Sequence, residues 1–266
     1  MAATATEELT NEIVFDYWQR KAAEEGDDPR VTIRDHHFRE LEIDTIKRYL
    51  RPGDTVVDIG CGNGYSTIRY ARCVGHIIGA DYSPFMIEAA NRQLARTNHG
   101  LRGKTAFQVE DARALSFADR SFSRVIMERC LINIPDRQEQ VQAAIEAGRV
   151  LCPGELFLLA EVTLQGHERV NKYRRMFGLD KLKVHWHNTY VDEPVFLDAI
   201  SETFELVETV RFGMYGFLSK VVHPLLVEPE EPSFDARLNE VAGRIARGIP
   251  DFDGCSHQVL FVLKKR

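Results

Sequence analysis

The chain has 266 residues, 44% of them hydrophobic and 28% charged, with a formal net charge of −6. That balance is ordinary for a globular protein in water, and the acidic excess excludes a general nucleic-acid binder, which would carry a basic face. No apolar run approaches the roughly 20 residues of a membrane-spanning helix, and the five cysteines (61, 73, 130, 152, 255) show no C-x-x-C spacing, which suits a reduced cytosolic protein.

The opening MAATATEELTNEI lacks a basic start followed by an apolar stretch, so no secretory signal is expected. Phe15, Tyr17 and Trp18 follow, and are too apolar for a free tail. Residues 37–50 place Phe38, Leu41, Ile46 and Leu50 at helical spacing and stop at Arg51-Pro52-Gly53. Thr55–Ile59 reads as a buried strand that breaks into a turn, Gly60-Cys61-Gly62-Asn63-Gly64, before a helix from Tyr65. Glycine there removes the Cβ that would keep a nucleotide-like ligand at a distance. Asp58, ending that strand, is a poor neighbour for pyrophosphate but suits a positively charged, phosphate-free ligand. A dinucleotide fingerprint wants G-x-G-x-x-G, which is not the spacing here.

About 20 residues past the turn, where a doubly wound fold places its ribose-binding acid, a strand over 76–80 leads to Asp81. Ser83 and Pro84 are cap and first residue of a helix reaching about Thr97. A third strand, Thr105–Val109, runs into Glu110-Asp111-Ala112. The fourth, 122–127, leads to Glu128-Arg129-Cys130, and a helix is expected over Arg137–Val150. A fifth strand over 156–162, a helix near 194–202 and strands over 204–212 and 258–263 complete the pattern. Strands alternating with helices imply a mostly parallel sheet covered on both faces.

The pattern D-x-G-x-G-x-G from Asp58 to Gly64, followed by Asp81, Asp111, the 122–135 segment and Arg149-Val150-Leu151-Cys152-Pro153-Gly154, resembles the class I SAM-dependent methyltransferases of bacterial small-molecule pathways. Glu155 departs from the second glycine of that last turn. The resemblance implies an α/β, Rossmann-like, seven-stranded sheet whose last two strands form an antiparallel pair at one edge, and S-adenosylmethionine (SAM) as cofactor. It implies that Asp81 accepts from the ribose hydroxyls and Asp111 from the adenine amino group, with the Ala112 N–H donating to the ring. Tyr82 or Met86 would lie against the adenine. Asp58, Gly60, Cys61, Gly62, Gly64 and Arg129 complete the expected cofactor set, with Cys61 as packing. Tyr17 and Trp18 are expected to cover the site.

One domain is expected, with a helical cap (1–50), a cofactor-binding core (54–163) and two substrate-side insertions (164–191 and 213–254). Long insertions without a structural purpose are commonly lids or binding loops. In the first, His185-Trp186-His187-Asn188-Thr189-Tyr190 admits two chemical readings. A metal is disfavoured because no third and fourth ligands stand nearby. His187 or Tyr190 contacting the acceptor is the other, with His187 the better base because its unperturbed pKa is near ~6.5. Packing of the loop by its aromatics is an equal alternative. The expected activity is methyl transfer to O, N or C of a small molecule; a non-catalytic SAM-binding regulator is the alternative.

Overall fold

The structure, a computed structural model, describes residues 9–97 and 99–266. The absence of a signal in the opening segment therefore concerns mainly residues outside those described. Helix α1 (Asn11–Glu25) is capped by Thr10, whose hydroxyl accepts from the Ile13 N–H; α2 (His36–Ile46) is capped by Asp35 through the Phe38 N–H. The core then runs β1 (Thr55–Ile59), α3 (Tyr65–Tyr70), β2 (His76–Asp81), α4 (Pro84–Ala95), the short α5 (His99–Arg102), β3 (Thr105–Val109), β4 (Phe122–Glu128), α6 (Arg137–Val150) and β5 (Leu151–Val162). Ser83 caps α4 by accepting from Met86, with Pro84 in the first turn where its missing N–H costs nothing.

Beyond the core, α7 (Leu164–Met176) fills the first half of the expected 164–191 insertion, since the Thr163 hydroxyl caps it and Val170 buries against Leu179, Val221 and Cys255. After α8 (Glu193–Ala199) and β6 (Phe204–Arg211) come α9 (Gly213–Phe217), a π-helical turn (Leu218–Val222), α10 (His223–Val227), α11 (Arg237–Gly248) and β7 (Gln258–Lys265). β5 starts five residues earlier than expected, because Leu151 already pairs with Phe122.

The seven strands lie in the order β3-β2-β1-β4-β5-β7-β6. β7 alone runs antiparallel to its neighbours. Alternation assigns each face: Val57, Ile59, Val125, Met127, Phe157 and Leu159 build one core layer, and Val56, Ile77, Ile126, Leu158 and Ala160 the other. Each such side chain contributes about 1.5–3 kcal/mol by leaving water. Register decides where chemistry gathers. Val162 at the end of β5 pairs with Gln258 at the start of β7, so the chain entering β7 arrives at the same edge as the ends of β1, β2 and β4. No helix among the described residues is long and apolar enough to cross a membrane.

Candidate active site

A cavity of about 1290 Å³ opens at that edge. Its floor is the glycine turn, where Gly60, Gly62 and Gly64 have φ of 75°, 53° and 75°, the left-handed region that favours glycine. The Gly60 and Cys61 N–H groups donate to the Ala80 carbonyl (2.7 and 3.0 Å), and the Gly62 N–H to Asp81 (2.9 Å). The glycines are demanded first by the protein itself. A Cβ at Gly62 would stand 2.8 Å from the Thr32 methyl rather than simply fill ligand space, and one at Gly64 would stand 2.6 Å from the Phe107 ring. Gly64, expected in the cofactor set, does not line the cavity; it packs on Phe107.

Two aspartates flank the turn. Asp81 accepts from the Gly62 and Ser83 N–H groups (both 2.9 Å), which occupies about half of a carboxylate's roughly four acceptor positions and leaves the remainder for a diol. Burial pushes its pKa up to about 6 against those two N–H groups. Asp58 is buried with the Thr67 hydroxyl on it (2.6 Å), and burial, then the nearby Glu128, pushes it up to about 8. A cation beside it would offset that cost.

The third acid is differently engaged. Asp111 accepts from the Arg113 backbone N–H (2.9 Å) and from the guanidinium (2.7 and 3.0 Å), whose other arm pairs with Glu139 (2.7 Å). These bonds hold Asp111 below its usual range, so any contact with an adenine amino group is shared with Arg113. Ala112 lines the cavity beside it, and so do Tyr82 and Met86; Met86 is buried under α1 with Ala22 and Trp18, while Tyr82 meets Phe15 edge-on at 5.1 Å.

Arg129 reaches the cavity with its guanidinium on Glu42 and 3.6 Å from Glu128. Arg39 stands near them, buried, its guanidinium 4.1 Å over the Tyr65 ring. Arg39 Nε and Glu128 Oε2 have no hydrogen-bond partner. A buried set with both signs and an unused donor and acceptor fits a zwitterionic amino-acid end, as SAM has. Arg39 and Glu42 escaped the sequence reading. Their signal was two charged residues inside the apolar stripe of α2, beside Phe38 and Leu41.

Across the cavity, α1 and the 185–190 segment close on each other. Tyr17 stacks on His187 (4.6 Å, 24°), Trp18 and Trp186 meet that histidine edge-on, and the Trp18 indole N–H donates to Asn133 (2.9 Å). The expectation of an unperturbed His187 is corrected: burial, then His185, lowers its pKa to about 4. Tyr190 is buried with its ring edge-on to His167 at 5.2 Å. Both line the cavity. From the second insertion Tyr215, Ser219, Lys220 and Phe234 reach the same space, and His257 joins them from the entry to β7.

Comparison with known proteins agrees with this geometry. Residues 56–154 match the methyltransferase domain family. Residues 56–154 are a class I SAM-dependent methyltransferase domain. The chain is 32% identical over 141 residues to a demethylmenaquinone methyltransferase of Desulfitobacterium hafniense, covering 51% of this chain and 53% of that protein. It is 34% identical over 116 residues to the 27-O-demethylrifamycin SV methyltransferase of Amycolatopsis mediterranei, covering 43% and 41%. It thus spans about half, or less, of the length of these curated relatives. A geranyl diphosphate methyltransferase solved with SAM superposes with a TM-score of 0.56 at 17% identity over 84% of each chain. The [4+2]-cyclase SpnF superposes with 0.55 at 19% identity, over 84% of this chain and 80% of that one. At such identities the likeness shows the fold, and the cyclase shows that the fold alone does not fix an activity. In the methyltransferase domain here, the SAM-type motifs are what the geometry gathers at the β1 and β2 ends.

Proposed function

We propose that this chain transfers the methyl group of SAM to a small-molecule acceptor, acting in the cytosol as one domain with its cap and insertions folded over the core. One observation carries the reading: a single cavity runs from the glycine turn to the 185–190 and 215–220 segments. Its ~1290 Å³ exceeds the roughly 300–1,000 Å³ of ordinary single-ligand pockets, leaving room for cofactor and acceptor side by side.

Bound SAM supplies an electrophilic methyl on a sulfonium. The chain's own residues do the rest. Asp81 holds the ribose hydroxyls, the Asp111–Ala112 turn takes the adenine edge beside Arg113, and Arg39, Arg129 and Glu128 hold the amino-acid end, with Glu42 positioning Arg129 from behind. Tyr17 and Trp18 exclude water and add apolar and aromatic surface toward a cation. Most of the rate gain expected of such a site comes from alignment of acceptor and methyl in a dry pocket. His187 stays neutral near pH 7 and Tyr190 stays protonated, so both position the acceptor; an acceptor that is already anionic needs no base.

The test is release of S-adenosylhomocysteine (SAH) by the full chain across a panel of small oxygen, nitrogen and carbon acceptors, with mass-spectrometric detection of the methylated product. Tight SAM binding with no product from any acceptor or from source extract would replace this reading with the regulator alternative.

A further inference from the structure

The half of the cavity away from the glycine turn contains a sheltered cation that makes no direct ion pair among the described residues. Lys220 sits on the π-helical turn, a geometry found mostly at functional sites. Its ammonium makes no ion pair or hydrogen bond among the described residues, and its ring contact is the Phe234 face at 4.9 Å. Asp35, whose charge acts on it most, is already engaged by the Tyr215 hydroxyl (2.6 Å) and the Phe38 N–H (3.1 Å). Lys183 and Arg34 also reach the cavity, but both are solvent-exposed.

Two unsatisfied polar atoms accompany it. Ser219 is 4% exposed and its hydroxyl has no partner; neither has the sheltered Nδ1 of His257. His257 feels the Lys220 charge directly, and burial lowers its pKa to about 3, so its ring is neutral and one nitrogen carries a hydrogen to donate. Close backbone packing seats α9, which leads into the π-helical turn, against the chain entering β7: a Cβ on Gly216 would collide with the Cys255 carbonyl and stand 3.1 Å from the Ser256 Cα. Native proteins rarely leave several neighbouring buried polar groups unpaired unless a ligand completes them.

We propose that Lys220, with Ser219 and His257, seats an oxyanion of the acceptor, so that the acceptor is a small carboxylate or phosphate ester on an apolar body. Tyr215, Phe234 and Tyr190 supply walls for that body. His257, at the entry to β7, lies three strand positions from β1, about 14 Å at ~4.8 Å per strand, which puts it on the acceptor side of the cavity, away from the glycine turn. The proposal rests on the cofactor half of the cavity taking SAM.

The experiment titrates the full chain, saturated with SAH, with 4-hydroxybenzoate, phenyl phosphate and the neutral 4-hydroxybenzyl alcohol by calorimetry. Wild-type protein is expected to bind at least one anion tenfold or more tightly than the alcohol, and the tighter anion names the oxyanion. Lys220→Met should abolish the preference while leaving SAH and alcohol affinities unchanged, and Lys220→Arg should retain it. If Lys220→Met does not fold, loss of preference in Ser219→Ala and its retention in Lys220→Arg carry the same decision. Equal affinities in wild type, no probe binding at millimolar concentration, or an equal loss for all three ligands in Lys220→Met would overturn the inference. Failure of SAH itself to bind would instead overturn the cofactor reading.

Discussion

The part of the cofactor half around the glycine turn is built from consecutive strand ends, whereas the acceptor half is assembled from the far corners of the chain. Asp58, Gly62, Asp81 and Ala112 come from three consecutive strand ends, and much of their work is done by backbone groups fixed by tight turns. Tyr17, His187, Lys220 and His257 come from four segments that share no motif and line one cavity, with Tyr17 stacked on His187 and His257 carried in at the start of the antiparallel β7. A backbone-built site tolerates little change at a few positions. A site built from side chains on insertions can change ligand while leaving the sheet intact. The lesson is a division of labour: the cofactor end is expected to fail sharply on point substitution, and the acceptor end gradually.

The sharpest break should come at Asp81. Asp81→Ala removes the acceptor expected to take the ribose hydroxyls and leaves the Gly62 and Ser83 N–H groups unpaired. SAM affinity should fall by about 1.5–3 kcal/mol, roughly ten- to a hundredfold in Kd. Calorimetry on protein whose circular dichroism matches wild type measures it. An unchanged affinity would remove Asp81 from the cofactor site and the comparison would lose its first member.

Legibility in the sequence follows the same division. β1, β3 and α6 fall at the boundaries read from apolar runs, glycines and caps, since these signals are local. The fold class was readable for the same reason, as was the Asp58–Gly64 turn. Three features were not. The helix α7 is capped by Thr163 but carries so few apolar residues that its burial depends on partners elsewhere. The engagement of Asp111 by Arg113 and Glu139 arises from three segments meeting, and neither spacing nor motif encodes it. The lowered pKa of His187 is a consequence of Tyr17, Trp18 and Trp186 surrounding it, which no reading of the 185–190 segment alone supplies.

Between the halves stands Glu161, near the end of β5, which accepts from the Leu131 N–H at 2.7 Å and is fully buried. Burial raises its pKa from 4.5 to about 8. The folded state therefore binds its proton more tightly than the unfolded state does. Its contribution to stability is complete below the unfolded value and is lost as pH rises through about 8. His187 and His257, lowered to about 4 and about 3, act in the opposite sense but only below their unfolded value near 6.5. From pH 6.5 to 8 the melting temperature of the free chain should accordingly fall, with Glu161 contributing up to ~1.4 kcal/mol per pH unit. Glu161→Gln should flatten that slope and leave a remainder from Glu42 and Asp58, which are also raised. A slope identical to wild type would place the proton elsewhere.

Tyr17 belongs to both halves of the comparison, because α1 covers the cofactor end and its ring lies on His187. Tyr17→Ala removes a stacked pair of about 0.5–1.5 kcal/mol and should weaken SAM binding and raise the acceptor KM together, each by a few-fold. An effect confined to one ligand would assign α1 to that half alone. The paired Trp18→Phe keeps the ring and removes the hydrogen bond to Asn133, so it should shift the melting temperature more than either affinity.

The smallest effect is expected at His187, and it tests whether the acceptor end contains a general base. A histidine with a pKa near 4 is neutral throughout the physiological range but has little affinity for a proton, so it is poorly matched to abstracting one at neutral pH. Its stacking on Tyr17 and its buried, unpaired Nδ1 suit a donor or acceptor of one positioning hydrogen bond. His187→Asn preserves a polar group of similar reach. With the methyl acceptor identified, it should raise KM several-fold, change kcat by less than tenfold and spare SAM affinity, the pattern of lost ground-state positioning. The kcat profile should also show no inflection between pH 5 and 8 that vanishes in the variant. A loss of 10²–10⁴ in kcat together with such an inflection would mark true base catalysis. The acceptor end would then be as unforgiving as the glycine turn, and the contrast between the two halves would not hold.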